Sequence, residues 1–211
     1  MHATAMSHAK FFLDAYVQNI PTVCVVEIGV LPSLSPSFVS LKDLCPPNAE
    51  YVGVGMEEAE GIDIVLPDAH TLPFQDNSLD VVVSSSFFQH SEMFWLLFSE
   101  VMRVLKPSGL LYINALSNGP FKRQPVDCWR FYPDSGNALV RWAQRGGYNA
   151  ALLESFVTYP SPEGGKDFVA VFIKDERFAD QYPVRILHHI QDYTNGIVYG
   201  EEEYRNFNNQ A

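Results

Sequence analysis

An α/β fold with a doubly wound, mostly parallel sheet is what this 211-residue sequence predicts, and three observations predict it. Short β-branched runs recur and are nearly continuous in apolar residues, as strands covered on both faces are. Helical patterns lie between several of these runs, and strands alternating with helices wind a sheet from both sides. Near the end, two apolar runs are joined by a turn-rich segment with no room for a helix, which places an antiparallel hairpin at the sheet edge.

The parallel strands are read at Thr22 to Ile28, Tyr51 to Val54, Ile62 to Leu66, Leu79 to Ser85 and Gly109 to Leu116. The clearest helix is SEMFWLLFSEVMRVLKPSG, with Ser91 as its cap and Pro107 and Gly109 as its stop. Its apolar face runs through Met93, Trp95, Leu96, Phe98, Val101, Met102, Val104 and Leu105. A second helix begins near Pro133 and ends at Gly146 and Gly147, with Leu139, Val140 and Trp142 on its buried side. The hairpin strands are Ala151 to Pro160 and Phe168 to Asp175. Beyond Arg177 no periodicity is visible, and the EEE at 201–203 and the NFNNQ ending predict surface packing and a loose terminus. The expected organisation is one domain over residues 1–177 with an extension over 178–211 packed on or trailing from it.

A formal net charge of -11 argues against nucleic acid as a partner, since neutralising phosphates needs clustered Lys and Arg. The N-terminus has no cationic segment leading into an apolar stretch with a cleavage site, and no run reaches roughly 18 apolar residues. A soluble cytoplasmic protein that does not enter membranes is expected. Cys24, Cys45 and Cys128 are widely spaced and form no C-x-x-C pair, so neither a disulfide framework nor a zinc site is expected, and Cys24 reads as core. His70, His188 and His189 lack partners at metal-ligand spacing, and Asp76, Asn77 and Ser78 read as a turn.

Five segments, VVEIG at 25–29, YVGVGMEEAEGID at 51–63, LPDAHTLPFQDNSLDVVVSSSFFQH at 66–90, EVMRVLKPSGLLYI at 100–113 and PVDCWRFYPD at 125–134, carry a further signal in their order and spacing. Together they resemble the class I S-adenosylmethionine-dependent methyltransferases, and among these the methyltransferase type 11 group. The resemblance runs from Thr22 to Tyr148 and implies a Rossmann-like, seven-stranded sheet whose last strand is antiparallel. In such folds ligands lie at the carboxyl ends of the strands, where strand order reverses. The resemblance then gives Glu27 a role at the methionine amino end of the cofactor and Gly29 one in close backbone approach. Gly55 stands where the family carries an acid for the ribose hydroxyls. Met56 becomes an apolar contact for the adenine, and Glu57, two residues on, is placed to reach back. Asp68 matches the acceptor for the adenine amino group, and Ala69 the backbone amide that meets the ring. Ser85, Phe87 and His90 fall in the loop that lines the transfer site. The family's E-x-G-x-G-x-G loop departs here, with Leu31 and Ser33 in place of its second and third glycines and Pro32, Ser35 and Pro36 stiffening it.

The implied function is in-line methyl transfer from S-adenosylmethionine to a small molecule, a reaction of alignment and water exclusion that needs no metal or triad. His90 reads either as a base for a hydroxyl acceptor or as a structural hydrogen bond at a helix entrance. After the fifth strand, Lys122, Arg123, Trp129 and Arg130 read as a lid meeting an anionic or sugar-like acceptor. Alternatively, Trp129 and Phe131 pack that lid and Arg130 pairs with Asp127 or Asp134. A different class of reading is a scaffold or partner-binding module that has lost the cofactor, supported by the altered loop and Gly55. A nicotinamide dehydrogenase fits less well because no G-x-G-x-x-G is present. A homodimer through the antiparallel edge or the tail is compatible with the sequence.

Overall fold

The computed structural model describes residues 3–30, 40–123, 126–160 and 164–209. Helix α1 (Ala3–Phe12) runs into a π-helical turn (Leu13–Val17) and then strand β1 (Val23–Ile28). Helix α2 (Leu41–Leu44) is one turn closed by a reciprocal Ser40–Asp43 capping box. Strands β2 (Ala49–Gly55), β3 (Ile64–Val65) and β4 (Leu79–Ser85) follow, then α3 (Phe94–Val104), β5 (Leu105–Leu116) and α4 (Ser135–Arg145). Strands β6 (Ala151–Thr158), β7 (Asp167–Ile173) and β8 (Tyr193–Val198) complete the sheet.

The strand order is β3-β2-β1-β4-β5-β7-β6-β8. Neighbours from β3 through β5 are parallel, whereas β7 runs antiparallel to β5 and β6, and β8 antiparallel to β6. The order reverses between β1 and β4, which makes their carboxyl ends the switch point. Side chains alternate across the sheet, so each face has its own core. Val26, Ile28, Val82, Leu111, Ile113 and Phe172 pack with Leu97, Phe98, Val101 and Leu139 of α3 and α4. Val25, Val81, Val83, Tyr112 and Val171 pack with Phe12, Leu13, Tyr16 and Val17.

Several expectations are corrected. The sheet has eight strands and not seven, because the tail, read as lacking periodicity, supplies β8. It is drawn in by pairing, with β8 on β6 and buried Glu154 accepting from the Ile186 and Leu187 amides at 2.7 and 3.0 Å. The run Ile62 to Leu66 shortens to a two-residue strand, Ile64–Val65. Ser91 does not cap α3: Met93 holds the N-cap position, without a side-chain cap, and the Ser91 hydroxyl faces His70 Nε2 at 3.3 Å. Pro107 and Gly109 do not lie in a loop, since β5 starts at Leu105 directly after α3 and re-registers on β4 between Leu79 and Val81. Trp142 is 43% exposed and not buried; its indole N–H bonds the Trp95 carbonyl and the Ser99 hydroxyl, tying α4 to α3.

Candidate active site

The carboxyl end of β1 carries Glu27, buried, with the Tyr51 hydroxyl donating to it at 2.6 Å. Burial pushes the Glu27 carboxyl above its usual range, and the Tyr51 bond offsets part of that shift. Gly29 follows with φ +86°, in the left-handed region, and its amide donates to the Val54 carbonyl at 2.9 Å. A Cβ at Gly29 would stand 2.5 Å from Phe87, so glycine is required both by conformation and by the ring packed on it. Leu31, Pro32, Ser33, Ser35 and Pro36 lie outside the described residues.

At the end of β2, a Cβ on Gly55 would meet the Ile62 δ-methyl at 2.5 Å and the Val30 carbonyl oxygen at 3.2 Å. A side chain at this position would therefore need the Ile62 δ-methyl to shift. Met56 is 42% exposed and Glu57 is exposed beside it, both at the rim of the strand ends. Asp68 is exposed; the His70 amide donates to it at 2.7 Å, and that bond, with help from Thr71, holds its carboxyl below the usual range. Ala69 is half-buried next to it. The Arg103 guanidinium pins the segment that follows, through the Leu72 and Phe74 carbonyls and Asp76.

The end of β4 is strained. Ser86 has φ +59°, uncommon for a residue with a side chain, and its amide donates to the Asn114 carbonyl at 2.8 Å. Ser84 and Ser85 are buried, and among the described residues their hydroxyls find no hydrogen-bond partner, nor do the buried side-chain oxygens of Asn114 and Gln89. Register explains how these gather. Glu27 pairs with Val83, Ser85 with Asn114, and Leu116 with Asp167. Period-two alternation then puts Glu27, Ser85, Asn114 and Asp167 on one face, towards α1. The Asn114 amide nitrogen donates to Asp167 at 3.3 Å. Buried polar groups are ordinarily paired, so the Ser85 hydroxyl and the Asn114 side-chain oxygen, side by side on this face, stand out among the described residues. Sequence reading missed Tyr112 and Asn114, although YIN inside an otherwise apolar strand was the visible signal.

A short 3₁₀ turn (Phe88–His90) carries the lid on its back. His90 Nδ1 bonds the Val126 carbonyl, and the Gln89 amide nitrogen stands 3.3 Å from His90 Nε2. The Cys128 and Trp129 amides both donate to the Gln89 carbonyl, at 3.0 and 3.1 Å, and the Trp129 indole donates to the Ser91 carbonyl at 3.0 Å. Both ring nitrogens of His90 thus have hydrogen-bonding partners. Of the lid residues, Lys122 and Arg123 are exposed, whereas Trp129 and Arg130 turn towards α3 and α4. Arg130 makes a bidentate pair with Asp127 at 2.6 and 2.8 Å, the packing alternative foreseen for it.

The Asp127 side chain is only 2% exposed, and the Arg130 bond lowers its carboxyl to about 2. A depressed carboxyl stabilises above its ordinary pKa and loses that contribution as pH falls through about 2. Asp127→Ala is expected to cost about 1 kcal/mol at pH 7, after discounting for solvent screening at the partly exposed guanidinium. The same variant should speed chymotryptic cleavage between residues 117 and 132; an unchanged cleavage rate would show that the pair does not hold the lid.

Among the described residues, no group of three or more His, Cys, Asp or Glu is placed to hold a metal ion, and no helix is long and apolar enough to cross a membrane.

Comparison with known proteins agrees with this architecture. Residues 34–113 match the family model described as methyltransferase domain. A Mycobacterium marinum protein described as an uncharacterized methyltransferase is 34% identical over 80 residues, which is 37% of this chain and 31% of that relative. The chain thus spans about a third of the length of the curated relatives it matches. Among solved structures, the 1,6-didemethyltoxoflavin-N1-methyltransferase of Burkholderia thailandensis, with bound 1,6-didemethyltoxoflavin and S-adenosylhomocysteine, aligns with a TM-score of 0.59 at 14% identity over 81% of this chain and 78% of that one. A structure titled the [4+2]-cyclase SpnF aligns equally well, with a TM-score of 0.59 at 12% identity over 81% of each chain. These likenesses show the fold. Residues 34–113 of this chain match the methyltransferase domain model, and the whole chain has a Rossmann-like methyltransferase fold.

Proposed function

We propose that the protein is an S-adenosylmethionine-dependent methyltransferase acting on a small molecule. The observation that carries this reading is the switch point between β1 and β4, where Glu27 and Gly29 meet Ser85 and Phe87, within a chain whose residues 34–113 match the methyltransferase domain model. Glu27 and Gly29 would hold the methionine end, Asp68 and Ala69 the adenine, with Met56 as its apolar wall, and Ser85 and Phe87 would face the transfer site. Glu57 is the acid nearest to the missing ribose partner at Gly55. When bound, the cofactor supplies an electrophilic methyl group on a cationic sulfur.

The chain's own residues align and exclude water. Phe87 packs on Gly29 at the junction of the β1 and β4 loops, and the Gln89 carbonyl anchors the lid next to it. Lys122 and Arg123, exposed on the lid, favour an acceptor that carries a negative charge. A shared fold does not by itself give methyl transfer, as a neighbour titled a cyclase illustrates.

Calorimetric titration with S-adenosylmethionine and S-adenosylhomocysteine tests the reading. Micromolar binding is expected, weakened about tenfold or more in Asp68→Ala, which loses a charged acceptor. No binding of either ligand by the folded protein would sink it. That outcome would favour the scaffold reading, for which Gly55 in place of an acid is the specific support.

A further inference from the structure

Glu27 is a buried carboxylate at the switch point, and its neighbours leave its charge uncompensated. It is 6% exposed, yet among the described residues no Lys, Arg or His forms an ion pair with it. A carboxylate at such depth is costly to ionise, and a cation brought by a ligand would offset that cost. The side chain that donates to it is Tyr51, whose hydroxyl stands 2.6 Å from Oε2. Glu154, buried on β6, shows the contrast: three donors from the fold itself meet both of its oxygens.

Register brings Tyr51 and Glu27 together. Strands β1 and β2 are parallel, with Val25 opposite Tyr51 and Glu27 opposite Gly53. Tyr51 and Glu27 therefore share a face and stand diagonal to each other. The position directly opposite Glu27 carries no side chain, and a Cβ there would stand 3.4 Å from Tyr51 Cε1, so the phenol reaches Glu27 across the glycine. Lys42 Nζ lies 5.9 Å from the centre of the Tyr51 ring. Burial, then Glu27, Cys45 and Asp63, raise the phenol well above its ordinary range, which keeps it a donor at any physiological pH.

Building on the methyltransferase reading, we infer that Tyr51 is a positioning residue, which fixes one oxygen of the Glu27 carboxylate and leaves the other to accept from the ammonium group at the cofactor's methionine end.

The consequence is a pH-dependent site. Burial raises the Glu27 carboxyl above its ordinary value, and the Tyr51 bond lowers it. An ammonium group is held by the ionised form, so affinity falls as pH drops through the Glu27 midpoint, and removing the Tyr51 hydroxyl moves that midpoint upward. Asp68, at the adenine end, is held below its ordinary range by the His70 amide and stays ionised across the same interval.

The test titrates the full-length protein and Tyr51→Phe with S-adenosylhomocysteine, which carries the ammonium group without the sulfonium, between about pH 5 and 8. In the free proteins Glu27 is followed by its carboxyl carbon-13 resonance, assigned with Glu27→Gln. Tyr51→Phe is expected to bind about tenfold more weakly at pH 7, as the loss of a hydrogen bond to a charged group implies. Its affinity profile and its Glu27 resonance should both shift to higher pH, so that raising the pH recovers part of the lost affinity, which a packing defect would not allow. In the wild type, replacing tyrosine by 3-fluorotyrosine, a stronger donor of nearly the same shape, should move the Glu27 midpoint downward. A Glu27 midpoint that stays in place in folded Tyr51→Phe or in the fluorotyrosine protein, or binding by Tyr51→Phe as tight as that of the wild type, would overturn the role of Tyr51 alone. No binding by the folded wild type would overturn it together with the methyltransferase reading.

Discussion

Glu154→Ala is expected to lower the free energy of unfolding by about 3–5 kcal/mol, read from the urea midpoint at unchanged slope. Glu154 is completely buried on β6 and accepts from three donors, the Tyr16 hydroxyl at 2.6 Å and the Ile186 and Leu187 amides. It joins the N-terminal helical segment and the tail to one strand, so alanine leaves three donors unsatisfied and a cavity between two distant parts of the chain. A loss below about 1 kcal/mol would mean that the tail is held by β8 alone. The carboxyl also sets a pH dependence. Burial raises its pKa above the ordinary value, and the hydrogen bonds offset only part of this. A raised folded-state pKa contributes stability that is complete below the unfolded value and is lost as pH rises through the folded one. The wild type is therefore expected to lose stability towards high pH relative to Glu154→Gln, and parallel profiles for the two proteins would contradict that assignment.

Gly29→Ala is expected to cost about 3 kcal/mol, and it separates two causes. The left-handed conformation costs an ordinary residue about 1–2 kcal/mol. Overlap with the Phe87 ring adds about 1–3 kcal/mol, since a Cβ there would stand 2.5 Å from it. Combining Gly29→Ala with Phe87→Ala should remove the overlap and leave the conformational part, giving a favourable coupling of about 1–2 kcal/mol in a double-mutant cycle. Strict additivity would show that the ring simply moves aside. Both single variants are expected to weaken S-adenosylhomocysteine binding, because Gly29 and Phe87 meet at the junction of the β1 and β4 loops.

Much of the parallel sheet was legible because its strands are buried on both faces and so carry dense apolar runs. Leu79 to Ser85 was read at its observed limits, and the β6–β7 hairpin is antiparallel as expected. Strand β8 was not legible. TNGIV contains Asn195 at φ +52° and a glycine, so pairing with β6 makes this strand where propensity does not. Trp142 was misplaced because helical periodicity identifies a face without saying whether a neighbouring helix covers all of it.

The candidate site divides in the same way. Glu27 lies at the end of β1, and Gly29, Asp68 and Phe87 follow strands closely, so sequence order alone brought them to the carboxyl edge, and Asp127 three residues before Arg130 was visible as a pairing choice. The polar row across β1, β4, β5 and β7, the lid clamp on the Gln89 carbonyl and the cleft lined by Trp95, Trp129 and Trp142 were decided only by the folded chain. Local sequence determines periodicity, and thereby which segments become strands and which of their residues share a face. Which residues of β1, β4, β5 and β7 lie side by side depends on register between segments tens of residues apart, where a shift of one would turn every side chain to the opposite face.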